Sequence, residues 1–255
     1  MSDTSHRRER LRERTLTEIK DLARAQLVAS GPSGISLRAI ARDMGMTAAA
    51  LYRYVPALDA LVIELCTDLH NEVRIACEAA RDADPDPDPV RRLLVMAREL
   101  RRWALEHRPE ATLIFGPPLP GVEQFHQQCD DLQCAGAQLG QIFVAPLLEL
   151  WQAGRLPRVP HVDLDRLAGA LPAHGELPIE VTAVFLTSWI RLYGVLAAEL
   201  FGQLTWAATD TEPLFEAELA FFAAQVPPTA AAAAAPSAAT LNESRPQDRP
   251  EPASL

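Results

Sequence analysis

The stretch SLRAIARDMGMTAAALYRYV, Ser36–Val55, contains two short helical patterns separated by a glycine. In the first pattern, apolar side chains recur at i, i+3, i+4 and i+7, and Ser36 stands at the N-cap position. Gly45 can supply the positive φ that a tight turn between two helices requires. In the second pattern, Thr47 is the expected cap, and Pro56 ends the helix because the residue before a proline avoids helical backbone. The inward positions of the two patterns are Leu37, Ile40, Ala41, Met44, Leu51 and Val55.

Two short helices joined by a glycine-containing turn can present the second helix to the major groove of DNA. The outward positions of that second helix begin with the alanines Ala48–Ala50 and continue with Tyr52 and Arg53. A helix that begins with alanines can approach the groove floor closely, and its methyl groups can contact thymine methyls. These features predict a DNA-binding helix-turn-helix. The alternative is an exposed helix face whose alanines serve helix propensity alone.

Helical spacing dominates the rest of the chain, and no alternating strand pattern is present, so we predict an all-α fold. Apolar residues from Leu16 to Leu27 line an earlier helix that Gly31 and Pro32 stop. Downstream, the spacing predicts helices over about residues 58–80, 90–107, 123–153 (bent or interrupted near Pro146), 178–204 and 212–225. We expect a three-helix domain with an Arg-rich arm over residues 1–60, a larger helical domain over 61–226, and a disordered Ala/Pro-rich tail over 227–255.

Charge is distributed unevenly along the chain. The net charge is −10, yet residues 1–60 hold 10 basic and 7 acidic side chains, so the acidic excess lies downstream. A mildly basic N-terminal segment is expected to face a polyanion, although an excess this small can also arise by chance. The N-terminus lacks the apolar run of a leader, and the most apolar later run is interrupted by Arg191 and Glu199. We expect a cytoplasmic protein without a membrane partner.

Patterns of enzymes and metal proteins are missing. There is no H-E-x-x-H, no glycine-rich phosphate loop and no G-x-S-x-G, so we expect neither an enzyme nor catalytic residues. Cys66, Cys77, Cys129 and Cys134 have no C-x-x-C spacing and are expected to be free thiols rather than metal ligands or disulfides. No cofactor is expected.

The segment SLRAIARDMGMTAAALYRYVPALDAL, Ser36–Leu61, resembles the DNA-binding segment of TetR-family transcriptional regulators, and the resemblance spans about residues 10–65. Downstream, SWIRLYGVLAAELFG, Ser188–Gly202, is similar to the Trp-His-Gly helix of one subgroup of C-terminal domains in this family, with Tyr193 in place of the histidine. The resemblance implies an all-helical homodimer. Its N-terminal domain would bind a double-stranded DNA operator, and its C-terminal domain would bind a small-molecule effector that lowers DNA affinity.

The resemblance also assigns roles to single residues. It places Arg38, Ala48, Ala49 and Tyr52 near base edges, and Ser36, Thr47, Arg53 and Tyr54 near phosphates. The sequence departs from the family pattern at Leu58, where a lysine is usual, and at Ala57, where Ser or Asn would cap the next helix. The arginines between Arg7 and Arg14 either replace the missing phosphate contact or belong to a solvated helical extension.

Aromatic and histidine side chains of the larger domain are candidates for an apolar effector pocket, although each one singly fits core packing. They are Trp103, His107, Phe115, Phe125, Trp151, Phe185, Trp189 and Tyr193. The last two helices are too apolar for a monomer surface, which predicts a symmetric dimer. We expect a ligand-responsive transcriptional regulator that reads a palindrome and acts as a repressor, although DNA contacts do not encode the sign of regulation and an activator would have the same ones. The alternative is a ligand-binding or adaptor protein of the same fold with weak or no specific DNA binding.

Overall fold

The computed structural model of the protein describes residues 3–117, 135–171 and 177–228. Within these ranges the chain forms α-helices, one short 3-10 turn at Pro32–Gly34 and no strand. The helices are α1 (Asp3–Ser30), α2 (Leu37–Asp43), α3 (Ala48–Leu51), α4 (Leu58–Ala83), α5 (Pro89–Glu106), α6 (Arg108–Phe115), α7 (Ala135–Gln152), α8 (Leu164–Ala170), α9 (Ile179–Leu200) and α10 (Glu212–Gln225).

The first three helices pack as the apolar spacing predicts. Ile19, Ala23 and Leu27 of α1 are completely buried, and so is Ile40 of α2. The chain leaves α1 through Gly31, whose φ of 73° a residue with a side chain rarely adopts. The all-α prediction is therefore confirmed for the described residues, and the N-terminal helices share one core.

Helix α4 joins the N-terminal helices to the rest of the protein. It contacts α1 on one side and α5, α6 and α7 on the other. Its buried side chains extend from Leu61 to Cys77, so one connected core continues from α1 through α4 to Leu219 of α10. Helix α4 therefore contributes to the packing of both the N-terminal helices and the larger domain.

Several predicted boundaries are corrected. Helix α9 ends at Leu200 rather than at residue 204, because Gly202 takes a positive φ of 64° and the chain turns. Helix α4 continues to Ala83, three residues past the predicted end. Helices α6 and α8 were not predicted as helices. Helix α8 buries no side chain, so it lacks an apolar stripe, and Pro109 near the start of α6 suggested only a boundary.

Two parts of the sequence analysis lie outside the described residues. They are the predicted helical segment 123–134, which includes Phe125, Cys129 and Cys134, and the tail from residue 229 onward. Pro146 lies inside α7, which continues through it without interruption, and the predicted bend stays a prediction.

Ion pairs fix the last two helices to α5. The Arg101 guanidinium donates to both carboxylate oxygens of Glu199 in α9 at 2.7 and 2.8 Å, and Arg98 binds Glu216 of α10 in the same way. Among the described helices, α9 is long and apolar enough to cross a membrane, judged by length and composition alone. Its charged residues Arg191 and Glu199 pair with α10 and α5, so α9 is held as part of the helical body.

Candidate functional site

The helix-turn-helix is built by local hydrogen bonds that the sequence specifies. The Ser36 hydroxyl accepts from the Ala39 N–H at 3.4 Å, and the Thr47 hydroxyl accepts from the Ala50 N–H at 3.2 Å, so each helix has its expected N-cap. Gly45 takes a φ of 65° in the turn, which any side chain would strain. These contacts fix the direction of α3 relative to α2.

The inner and outer faces separate as predicted. Leu37, Ile40, Ala41, Leu51 and Val55 are buried, and Met44 is partly buried against the same core. The four side chains expected near base edges are all exposed, and they are Arg38, Ala48, Ala49 and Tyr52. Among the described residues, Arg38 and Arg53 form no ion pair, so both guanidinium groups are available to an outside partner.

The expected phosphate contacts are less uniform. The Ser36 and Thr47 oxygens accept backbone hydrogen bonds as caps, but each hydroxyl keeps its own proton to donate. Arg53 is exposed, whereas the Tyr54 ring is partly buried and lies under the guanidinium of Arg12, 5.9 Å from the ring centroid. Arg12 is therefore next to the end of α3, a position that sequence spacing alone did not reveal.

The Arg-rich segment is a helical extension of α1. Helix α1 begins at Asp3, and residues 5–14 are exposed. At 3.6 residues per turn, Arg7, Arg10 and Arg14 fall on one face. Glu13 lies three residues after Arg10, and Arg12 lies three residues after Glu9, so acidic and basic side chains stay neighbours on the helix surface. The Arg-rich segment is therefore a helical extension, as one of the two alternatives predicts, and contact of this extension with DNA stays a prediction.

The start of α4 differs from the family pattern as the sequence indicated. Ala57 is the N-cap residue and makes no side-chain hydrogen bond. Leu58 is 37% exposed on the first turn. An exposed leucine cannot donate to a phosphate, so this end of the motif lacks one anchor.

A polar cluster connects α1 to the larger domain, and we name it the Arg24 cluster: Arg24, Glu72, Glu110 and Trp103. The Arg24 guanidinium donates to both oxygens of Glu72 in α4 at 2.8 and 3.2 Å, and to Glu110 of α6 at 3.1 Å. The Trp103 indole N–H donates to Glu72 at 3.1 Å. Partial burial opposes ionisation of Glu72, but the hydrogen bonds from Arg24 and Trp103 outweigh it and lower the pKa of Glu72. The Arg24–Glu72 pair is therefore ionised, and the cluster joins four helices.

Two predicted pocket residues belong to this cluster or its edge instead of to a cavity. The Trp103 ring stacks on the His107 ring, with 4.9 Å between centroids. His107 also places its Nδ1 3.0 Å from the Trp103 carbonyl oxygen at the end of α5. Both side chains lie on the Glu72 side of α5, and neither lines the apolar groove or the smaller cavity described below.

An apolar groove lies between α5, α7, α9 and α10. Its lining includes Leu94, Phe143, Phe185, Trp189, Leu192 and Phe222. Trp189 meets Phe143 edge-to-face at 5.6 Å and stacks with Phe185 at 5.8 Å. At the edge of the groove, the Arg191 Nε donates to Glu218 at 2.8 Å. Phe185 and Trp189 are thus the predicted pocket residues that the structure places in this groove.

A smaller cavity adjoins the groove on the far side of Trp189. Phe115, at the end of α6, and Tyr193 both line it. The Tyr193 hydroxyl donates to the Phe115 carbonyl oxygen, and burial raises the pKa of that hydroxyl. Trp151 lines neither space, since it lies 44% exposed at the end of α7. The predicted pocket residues are therefore divided among several places.

Helices α9 and α10 also expose an apolar surface. Ile190 is 67% exposed, and Leu214 and Phe221 are 47% and 48% exposed. Small residues lie among them, since Gly194, Ala217, Ala220 and Ala224 are exposed too. In the turn after α9, Trp206 is 85% exposed. Large apolar side chains beside small ones form a surface that another helix can approach closely.

No group of three His, Cys, Asp or Glu side chains that could hold a metal ion occurs in residues 3–117, 135–171 and 177–228. Within the same residues, Cys66 and Cys77 are buried and form no disulfide.

Comparison with known proteins fits this geometry. Residues 93–222 match the family model of the tetracyclin repressor-like C-terminal domain. The HTH-type transcriptional regulator Rv1816 of Mycobacterium tuberculosis is 30% identical over 218 residues, which cover 81% of this chain and 90% of that protein. The chain belongs to the TetR family of transcriptional regulators. As a TetR-family regulator with a helix-turn-helix, it is not an enzyme.

Solved structures share the TetR-family fold. SCO4313, a protein described as regulatory, is 32% identical, with a TM-score of 0.65 over 84% of this chain and 97% of that chain. The crystal structure of RolR in complex with resorcinol is 19% identical, with a TM-score of 0.54 over 88% of this chain and 93% of that chain. The predicted family and fold class are thus confirmed.

Proposed function

We propose that this TetR-family regulator is a cytoplasmic repressor that binds a palindromic DNA operator as a homodimer and is released by a small, largely apolar effector. The observation that carries the proposal is the outer face of the helix-turn-helix, where the exposed side chains of Arg38 and Tyr52 flank the bare alanines of α3. Such a face suits the major groove, because polar readout comes from few side chains and nothing prevents close approach.

Direct readout depends on the positions of those side chains. Ala48 and Ala49 would contact thymine methyls, and Arg38 would donate to the O6 and N7 atoms of guanine. The hydroxyls of Ser36, Thr47 and Tyr54, and the Arg53 guanidinium, would bind phosphates and fix the register without reading sequence. This division predicts that loss of Arg38 changes the preferred sequence, whereas loss of Arg53 weakens binding to all sequences.

The apolar surface of α9 and α10 supports the homodimer. Ile190, Leu214 and Phe221 would be covered when two copies pair their last two helices about a twofold axis. The two α3 helices would then lie about 34–36 Å apart, one DNA turn, which is the spacing of a palindromic site.

Release by an effector is supported by the apolar groove. The groove touches α5, α7, α9 and α10, and its neighbouring cavity reaches Phe115 of α6. RolR, which shares the fold, was solved with the small aromatic compound resorcinol. An effector that favours one arrangement of the helical body by several kcal/mol would shift the population away from the DNA-binding state.

The test is selection of bound duplexes from a random DNA pool by the purified full-length protein. We expect a palindrome with half-sites about one turn apart and a steep loss of affinity with salt. Arg38→Ala and Tyr52→Ala are each expected to weaken binding to the selected site by about 1–3 kcal/mol. Arg102→Ala, in the larger domain, is the matched control and is expected to bind normally.

A folded dimer that enriches no sequence would contradict the proposal. That result would favour an adaptor or ligand-binding protein of the same fold, for which the exposed Leu58 and the uncapped Ala57 are the motivating observations.

A further inference from the structure

We propose that the apolar groove binds a monocyclic aromatic carboxylate, with its ring against Trp189 and its carboxylate on Arg191. This inference rests on the proposed effector function and specifies the chemical class of the ligand. It is drawn from the size of the groove, the orientation of its aromatic rings and the balance of hydrogen-bond donors and acceptors along it.

The size of the groove limits the ligand. Its volume is about 90 Å³, and it is open to solvent along one side. An enclosed apolar cavity of about 150 Å³ binds one benzene molecule. The groove therefore has room for no more than a single ring, with a short substituent at its open edge. A fused ring system would require the helices to separate.

The walls favour a ring over a flexible chain. Trp189 stands between Phe143, which meets it edge-to-face, and Phe185, which stacks on it at an interplanar angle of 29°. Gly140 contributes to this arrangement, since a Cβ at that position would lie 3.2 Å from the Phe185 ring. Aromatic faces and edges held in fixed directions gain most from another aromatic ring, because offset and edge-to-face contacts add to simple burial.

The polar side of the groove favours an anion. Glu218 binds the Nε and one terminal nitrogen of Arg191, and the guanidinium lies over the Phe221 ring at 4.2 Å. Glu218 and Phe221 thus hold Arg191 in place while its other terminal nitrogen has no partner among the described residues. A guanidinium held in this way can bind a second carboxylate along its free edge.

Two further groups in the groove lack acceptors. Ser188 and Trp189 line it, and neither the Ser188 hydroxyl nor the Trp189 indole N–H has a hydrogen-bond partner in the described part of the chain. The single carboxylate of the groove, Glu218, is already engaged by Arg191. Gln225 donates its amide nitrogen to the Phe221 carbonyl oxygen at 3.2 Å and adds one neutral amide oxygen as an acceptor. The Arg191 guanidinium is therefore the charged group left to a ligand, so the groove favours a carboxylate over an ammonium group.

The test is calorimetric titration of the full-length protein with benzoate, benzyl alcohol and benzylamine, which have rings of similar size and differ in charge. We expect benzoate to bind most tightly and benzylamine most weakly. Arg191→Gln should lower the affinity for benzoate roughly 10-fold to 100-fold, which is the usual cost of removing a hydrogen bond to a charged group. The affinity for benzyl alcohol should stay nearly unchanged. Arg102→Gln, an exposed arginine outside the groove, is the matched control. Ser188→Trp fills the groove and should abolish binding of benzoate and benzyl alcohol alike.

Each outcome separates this inference from the proposed function. Equal binding of benzoate and benzylamine, or benzoate binding that Arg191→Gln leaves unchanged, overturns the inference even when the protein selects an operator. Benzoate binding that requires Arg191, in a protein that selects no operator, upholds the inference and refutes the repressor. When both hold, benzoate should lower affinity for the selected operator in the wild type and not in Arg191→Gln.

Discussion

Arg24→Met should destabilise the protein far more than the loss of an ordinary surface arginine. The substitution keeps an unbranched apolar stem and removes the guanidinium that joins α1 to α4 and α6. Glu110 is only 4% exposed, and Arg24 is its hydrogen-bond partner among the described residues. Without Arg24, the Glu110 carboxylate would be buried without a counter-charge.

The expected magnitude follows from the exposure of each partner. Removing one member of a buried ion pair costs about 3–5 kcal/mol. Arg24 is itself 35% exposed, so water can enter beside Glu110 after truncation and reduce that cost. The Glu72 side chain is 38% exposed, so loss of the Arg24–Glu72 ion pair adds less than about 1 kcal/mol to the destabilisation. We therefore expect a loss of about 2–4 kcal/mol in the free energy of unfolding.

The assay is urea unfolding followed by circular dichroism at one fixed protein concentration, because dimerisation makes stability depend on concentration. Arg102→Met, whose partners lie on its own helix and whose side chain is 55% exposed, is the control and should lose less than about 1 kcal/mol. Adding Glu110→Gln to Arg24→Met should restore part of the loss, since a neutral amide is less costly to bury. Equal losses for Arg24→Met and Arg102→Met would refute this account of the cluster.

Three further predictions concern other parts of the molecule. Deleting residues 1–10 should weaken operator binding and flatten its dependence on salt, since fewer arginines would release counterions; an unchanged slope would show that the α1 extension does not contact DNA. Burial raises the pKa of Cys77 to about 12, so this thiol should resist alkylation at pH 8 until the protein unfolds, and rapid labelling of the native protein would contradict this. Burial lowers the pKa of His70, so the unfolded chain binds this proton more readily, and stability should fall as pH drops below about 6.5. His70→Gln should be less sensitive in that range; identical pH dependence of the two proteins would exclude His70 as the cause.

The helix-turn-helix could be predicted from sequence because its contacts are local. Caps lie three residues from the N–H groups they accept from, and Gly45 acts on its own backbone. The same holds for the exposed face of α3, since helical periodicity separates Tyr52 from the buried Leu51 without reference to any other element.

The larger domain could be predicted only in outline. Apolar spacing located the long helices, but it gave Trp103, Trp151 and Trp189 the same apparent role. The structure places the first beside Glu72, the second at an exposed helix end and the third in the groove. The sequence gives no indication that Arg24 joins three helices, because its partners Glu72 and Glu110 lie 48 and 86 residues away.

The sequence by itself therefore determined the all-helical class, the DNA-facing motif and its exposed residues, since each depends on interactions within a few helical turns. The tertiary structure decided which aromatic side chains share the groove, which arginine faces its edge and which carboxylates join α1 to the body. Those choices depend on how helices distant in the chain cross one another, and an apolar stripe at helical spacing specifies that a helix packs without specifying its neighbour.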